Sequence, residues 1–178
     1  MSAANGRNLD ALVGLPPVLD VCCGPRMMWV NKHDPRAVYF DKRDEDFPIE
    51  PNAAYPNGTT LKVRPDVCGD FTNLPFPDDS FRLVVMDPPH LTKICLTAVL
   101  GKTYGKLFPD WEDVMSAGFG ECFRVLKPEG VLIFKWCSFE IPLAKVLALA
   151  PYPPLFGHNT GNRAKTHWMT FMKPNTVI

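Results

Sequence analysis

The sequence predicts an α/β fold, with a mostly parallel seven-stranded sheet, an antiparallel C-terminal strand and helices on both faces. Two observations carry the prediction. Short runs of β-branched and aromatic residues alternate with turn-rich or amphipathic stretches, as strands and crossovers do in open sheets. Several of those runs also end on an acid, and strand ends are where such sheets hold their ligands. The 178 residues suit one packed domain better than two. With 46% apolar and 21% charged residues, the composition is that of a globular protein.

Residues 1–8 read as a loose polar start, followed by a single domain over 9–178. The run "VLDVC" from Val18 is the first strand and "AVYFD", ending at Asp41, the second. A third lies in "TLKVRPDVCGD", a fourth in "RLVVMD" and a fifth in "GVLIFKW". "HWMTFMK" is the last strand, pairing with one near "PLFGHN". Between the fourth and fifth, "WEDVMSAGFGECFRVLK" places Trp111, Val114, Met115, Phe119, Cys122, Phe123 and Leu126 on one helical face. Glu112 and Asp113 at its start and Arg124 and Lys127 at its end complement the helix dipole. Pro128 and Gly130 then stop it.

Nineteen lysines and arginines balance nineteen acids, so attraction to nucleic acid needs a local basic patch. No apolar run is long enough to span a bilayer, and the first residues lack a signal-peptide core. An intracellular, cytoplasmic protein is expected. Cys22, Cys23, Cys68, Cys95, Cys122 and Cys137 form no C-x-x-C pair and have no histidine at ligand spacing. They read as reduced, mostly buried thiols, and no metal is expected.

Four acids end strands: Asp20, Asp41, Asp70 and Asp87. An acid about 20 residues after a first strand and turn commonly accepts hydrogen bonds from ribose hydroxyls. Asp70, beside Phe71, suits an adenine amino group. Asp87 opens "DPPH", in which Pro88 and Pro89 fix their own φ and push the residue before each toward extended backbone. Such a rigid shelf holds a carboxylate, outward carbonyls and the imidazole of His90.

Taken together, "VLDVCCG", "VYFDKRDE", "VCGDFTNLPFPDDSFRLVVMDPPH" and "FRVLKPEGVLIFKW" resemble the class I S-adenosylmethionine-dependent methyltransferases over residues 17–173. "DPPH" is similar to the D/N-P-P-aromatic motif of enzymes that methylate exocyclic amino groups of nucleobases. The resemblance implies a Rossmann-like domain that binds S-adenosylmethionine. It places Asp20, Cys22 and Gly24 at the methionine part of the cofactor, Asp41 and Lys42 at its ribose, and Asp70 and Phe71 at its adenine. Asp87, Pro88, Pro89 and His90 fall beside the transferable methyl. Two departures stand out. The first-strand loop reads "DVCCGPR" where the family commonly has D-x-G-x-G-x-G, and His90 stands for an aromatic residue.

The resemblance also implies the chemistry. An exocyclic amino group is a poor nucleophile because its lone pair is delocalised into the ring. Accepting both N–H bonds, at the Asp87 carboxylate and the Pro88 carbonyl, turns that lone pair toward the methyl. Adenine N6 ranks before cytosine, in DNA or RNA that is single-stranded or has its base flipped out. Lys93, Lys102, Tyr104 and Lys106 form either a lid with phosphate contacts or a solvated loop. Arg163, near the end, lies either at the substrate rim or in a hairpin turn. Lys135 with Asp87 matches two members of the Lys-Asp-Lys-Glu set of ribose 2′-O-methyltransferases. Target choice implies a homodimer or a specificity partner. A small-molecule or protein methyltransferase, or a catalytically silent binding module, are the alternatives.

Overall fold

The structure, a computed structural model, describes residues 14–96, 98–159 and 165–175. Its main sheet is built from β1 (Val18–Asp20), β2 (Ala37–Asp41), β5 (Val67–Cys68), β6 (Phe81–Met86), β7 (Leu126–Cys137), β8 (Phe156–Asn159) and β9 (Thr166–Met172). The order is β5-β2-β1-β6-β7-β9-β8, with β9 antiparallel to both neighbours and the other pairings parallel. This is the expected sheet. Strand order reverses between β1 and β6, so the carboxyl ends of β1, β2, β5 and β6 converge on one crevice. That convergence positions the site.

Helix α2 (Trp111–Val125) buries Met115, Phe119, Cys122 and Phe123, as the periodicity requires. These side chains meet Val84 and Met86 of β6 and Leu132, Phe134 and Trp136 of β7 in the main core. The chain then leaves the ladder at 127–130. Phe81 pairs with Leu126 and Leu83 already with Val131, so the "KPEG" turn bulges out before β7 resumes.

The crossovers differ in detail from helices on both faces. Val146 of α3 (Leu143–Leu147) belongs to the same core cluster as α2. The opposite cluster of Cys23, Ala37 and Tyr39, with Val18 and Trp29 against it, contains no helical residue. The β1–β2 connection is a run of turns in place of a helix. Its fixings are polar and aromatic. Arg26 lies over the Tyr39 ring at 3.6 Å and donates to the carbonyls of Lys32 and Arg64. Trp29 packs edge-on against Tyr39 with ring centres 4.9 Å apart.

The third predicted strand divides in two. Thr59–Val63 (β4) pairs with Glu45–Ile49 (β3) in a separate antiparallel hairpin, and only Val67–Cys68 joins the main sheet. Pro65, lacking an N–H, falls between them. The short helix α1 (Val99–Tyr104) lies against this hairpin, with Lys102 Nζ donating to the Pro48 carbonyl at 3.0 Å. No helix among the described residues is long and apolar enough to cross a membrane. The loose segment 1–8 and the domain boundary at residue 9 lie outside the described residues.

Candidate active site

A cavity of about 680 Å³ opens beyond the carboxyl ends of β1, β2, β5 and β6. Cys22, Gly24, Asp41, Lys42, Asp70 and Phe71 line one end, and Asp87, Pro89, Tyr104 and Lys135 line the other. The structure thus brings most of the predicted residues to a single space. Among the described residues no cluster of His, Cys, Asp and Glu is placed to hold a metal ion.

Each strand-end acid has its own partner. Asp20 is fully buried and does not line the cavity; its carboxylate accepts from the Trp29 indole at 2.7 Å and the Cys22 N–H at 3.3 Å. Burial pushes its pKa up to about 7, against the lowering effect of those two bonds. Asp41 accepts the Gly24 N–H at 2.8 Å on Oδ2, and the Arg43 N–H and Nε at 3.0 and 3.1 Å on Oδ1. An ionised carboxylate offers about four lone-pair positions, so one remains on Oδ2 for a ligand hydroxyl. Asp70 accepts from Thr72 and from Lys42 Nζ at 2.9 Å. Burial raises its pKa, but Lys42 and Thr72 outweigh it and hold the carboxyl below its ordinary value.

The altered glycine loop keeps a glycine-like backbone. Gly24 has φ +48° and Arg26 φ +55°, the left-handed region that disfavours a side chain. The Arg26 side chain turns away from the cavity onto Tyr39, and those contacts offset the strain. Cys22 lines the cavity as a small side chain, its thiol pushed well up by burial and so protonated. A Cβ at Gly118 of α2 would meet the Phe71 ring at 2.3 Å, so glycine there lets the ring come up against the helix. Phe71, Trp111 and Val114 make an apolar slot beside the Asp70 carboxylate.

At the other end, Asp87 Oδ2 accepts from Lys135 Nζ at 2.6 Å, with side chains only 9% and 22% exposed. Burial raises the Asp87 pKa and the Lys135 ammonium opposes the rise. The ammonium itself stands 5.9 Å from the Tyr104 ring centre and 5.8 Å from that of Trp168. Pro88 is buried and Pro89 faces the cavity. His90 faces a second cavity on the other side of Tyr104. Its ring packs 5.8 Å from Tyr104 and 6.2 Å from Trp136, and burial lowers its pKa. Lys102 lines neither cavity, being drawn to the hairpin, and Arg163 lies outside the described residues.

Two residues at the site escape a sequence reading. Arg43 joins Asp41 to the roof, donating to the Lys102 carbonyl at 2.8 Å and the Thr103 carbonyl at 3.5 Å. Nothing but its place after Asp41 and Lys42 signals it. Trp29, the partner of Asp20, sits in an irregular loop with no periodicity to reveal it.

No family model and no curated protein matches the chain. Solved structures do. A TehB-like SAM-dependent methyltransferase from Corynebacterium glutamicum is 16% identical, with a TM-score of 0.51 over 92% of this chain and 84% of that one. The 1,6-didemethyltoxoflavin-N1-methyltransferase of Burkholderia thailandensis, solved with 1,6-didemethyltoxoflavin and S-adenosylhomocysteine, is 17% identical. Its TM-score is 0.51 over 93% of this chain and 75% of that one. A protein of Pyrococcus horikoshii is 16% identical, with a TM-score of 0.50 over 88% and 81%. The chain has the class I methyltransferase fold. Within that methyltransferase fold the first cavity lies at the topological switch point, and the Asp87 shelf closes one end of it.

Proposed function

We propose that the protein is an S-adenosylmethionine-dependent methyltransferase acting on an exocyclic amino group of a nucleobase in DNA or RNA, adenine N6 before cytosine. The observation that carries the proposal is the Asp87 carboxylate, just past the end of β6, its side chain 9% exposed, facing the same cavity as Asp41, Asp70 and Phe71. The likeness of fold supports the choice of cofactor. So does the donor set: acceptors at Asp41 and Asp70 suit hydroxyl and amino groups, and the slot at Phe71 suits a planar ring.

Bound, S-adenosylmethionine supplies an electrophilic methyl group. The chain's own part is to orient the nucleophile and exclude water. Asp87 accepts one N–H of the acceptor; the Pro88 carbonyl, the second acceptor that the resemblance implies, belongs to a buried residue that does not line the cavity. Lys135 holds the Asp87 carboxylate in one rotamer and opposes the rise that burial gives its pKa. The proton left on the methylated nitrogen is acidic and departs to solvent without a dedicated base.

One feature favours a second reading. A ribose 2′-hydroxyl can donate to Asp87 while accepting from Lys135, whereas an amino group whose lone pair is delocalised has nothing to offer an ammonium. The 2.6 Å Asp87–Lys135 pair therefore fits 2′-O-methyl transfer as well. The test is incubation with methyl-labelled cofactor and single-stranded DNA and RNA, followed by digestion to nucleosides and mass spectrometry. Label on the base is expected, in DNA, in RNA or in both. Label on the ribose of RNA alone selects the second reading, and label in neither polymer sinks both.

A further inference from the structure

We propose that the second cavity is a subsite for a second planar ring, so that the acceptor straddles Tyr104 with one base at Asp87 and its neighbour against His90 and Phe139. The inference rests on the nucleobase reading above and deepens it to a two-base step as the unit recognised. Tyr104 is the shared wall: it lines the first cavity beside Asp87 and the second, of about 440 Å³, beside His90. A phenol placed between two cavities is a divider against which a ring can lie on either side.

The second cavity is built, not incidental. Glu140 Oε2 accepts the Thr92 N–H at 2.7 Å, the Lys93 N–H at 3.2 Å and the Thr92 hydroxyl, which joins the segment after "DPPH" to the one after β7. Trp136 Nε1 donates to the Ile141 carbonyl at 3.0 Å and fixes the loop that carries Phe139. Preformed walls lower the entropic cost of binding. At the rim, Phe139 is 74% and Leu100 52% exposed, an aromatic ring and an aliphatic side chain standing where a flat ligand would enter. The imidazole Nδ1 of His90 is buried without a hydrogen-bond partner.

Charge fits the same occupant. Lys93 lines the second cavity together with the Glu140 carboxylate, and Lys106 lines the first, where Lys135 is already paired with Asp87. Cations on both sides of Tyr104 suit a phosphodiester crossing over it, while the apolar walls suit the uncharged faces of the two bases. The walls read ring faces more than ring edges, so the neighbouring position is expected to tolerate any base and to require one.

The test is equilibrium binding to the protein saturated with S-adenosylhomocysteine. The probes are the dinucleotide ApA and the two forms of it that lack one base. ApA is expected to bind at least tenfold more tightly than either abasic form. Phe139→Ala should bring ApA down to the level of the form that lacks the base assigned to the second cavity, while leaving that form and S-adenosylhomocysteine within twofold. Phe139→Trp should retain the preference, since a ring is restored. Equal affinity for ApA and both abasic forms overturns the subsite, as does an equal loss for every probe in Phe139→Ala. Binding of none of the three overturns it together with the nucleobase reading, and the separate S-adenosylhomocysteine titration then shows whether the cofactor reading survives.

Discussion

The two halves of the sheet reach the same order by different means. On the β6–β7 side, α2 lays Phe119 and Phe123 onto the strands, and the fully buried side chains are mostly apolar. On the β1–β2 side the connection has no helix, and Arg26, Trp29 and Asp66 do the fixing through carbonyls, a ring face and a backbone N–H. Both halves share the apolar core, to which the second gives Leu19, Val38 and Phe40, but the second fixes its connection by a few directed contacts where the first uses a helix. The proposed functions divide along the same line. The directed half carries the acids assigned to the cofactor, and the packed half carries the Asp87–Lys135 pair assigned to the chemistry. A reacting group gains from a stiff support, whereas a loop that must admit a ligand gains from contacts that can be exchanged.

The largest effect that would sharpen this division is on turnover. Asp87→Ala should lower methyl transfer at least about a thousandfold, roughly 4 kcal/mol of transition-state stabilisation, with cofactor affinity within a few-fold. Single-turnover assays beside calorimetry read both. Unchanged turnover would remove the shelf from the mechanism.

Next come the supports themselves. Phe119→Ala should cost about 3–5 kcal/mol of stability. Arg26→Ala, which loses two charged hydrogen bonds and a ring contact, should cost about 2 kcal/mol. Equal losses in denaturant unfolding would break the comparison. A third step, Asp41→Ala, should weaken S-adenosylmethionine binding by about 1.5–3 kcal/mol, with stability falling less than in Phe119→Ala. Wild-type affinity in that variant would take the ribose away from Asp41.

The smallest effect concerns pH. Burial pushes Asp20 up to about 7 from an ordinary 3.8, so between those values the folded protein holds a proton that the unfolded chain has released. The stability linked to this proton is full below the lower value and lost as pH rises through the upper one, by at most about 1.4 kcal/mol per unit. Urea midpoints should fall from pH 5 to 8, and Asp20→Asn should flatten that slope. A midpoint rising over this range in the wild type but not in Asp20→Asn would contradict the burial argument.

Legibility in the sequence follows the same division. The packed half could be read because its signals are periodic: Met115, Phe119, Cys122 and Phe123 announce the face that α2 buries, and "RLVVMD" and "GVLIFKW" announce the strands beneath it. The directed half could be read at the strands "VLDVC" and "AVYFD" and at their acids, but not in the connection between them. Glu45–Ile49 carries acids and Pro48, so it lacks the alternation that marks a strand, yet it pairs with Thr59–Val63 off the main sheet. An acid at a strand end looks the same whether it faces a cavity, as Asp41 does, or an indole, as Asp20 does. The prolines of "DPPH" do fix the backbone, but the direction of the His90 ring is set by Tyr104 and Trp136, which arrive from distant elements. Contacts between residues far apart in sequence leave no mark on either neighbourhood.

The staked loop over β1 and β2 has a consequence for descent. A helical crossover drifts one position at a time, because any residue on its outer face can be exchanged alone. Here Arg26 needs the Tyr39 ring and the Arg64 carbonyl, Trp29 needs Asp20 and the same ring, and Asp66 needs the backbone of Tyr39. Arg26 and Trp29 share the one ring, so an exchange at Tyr39 disturbs both. Related chains that keep these turns should therefore keep Arg26, Trp29 and Tyr39 together.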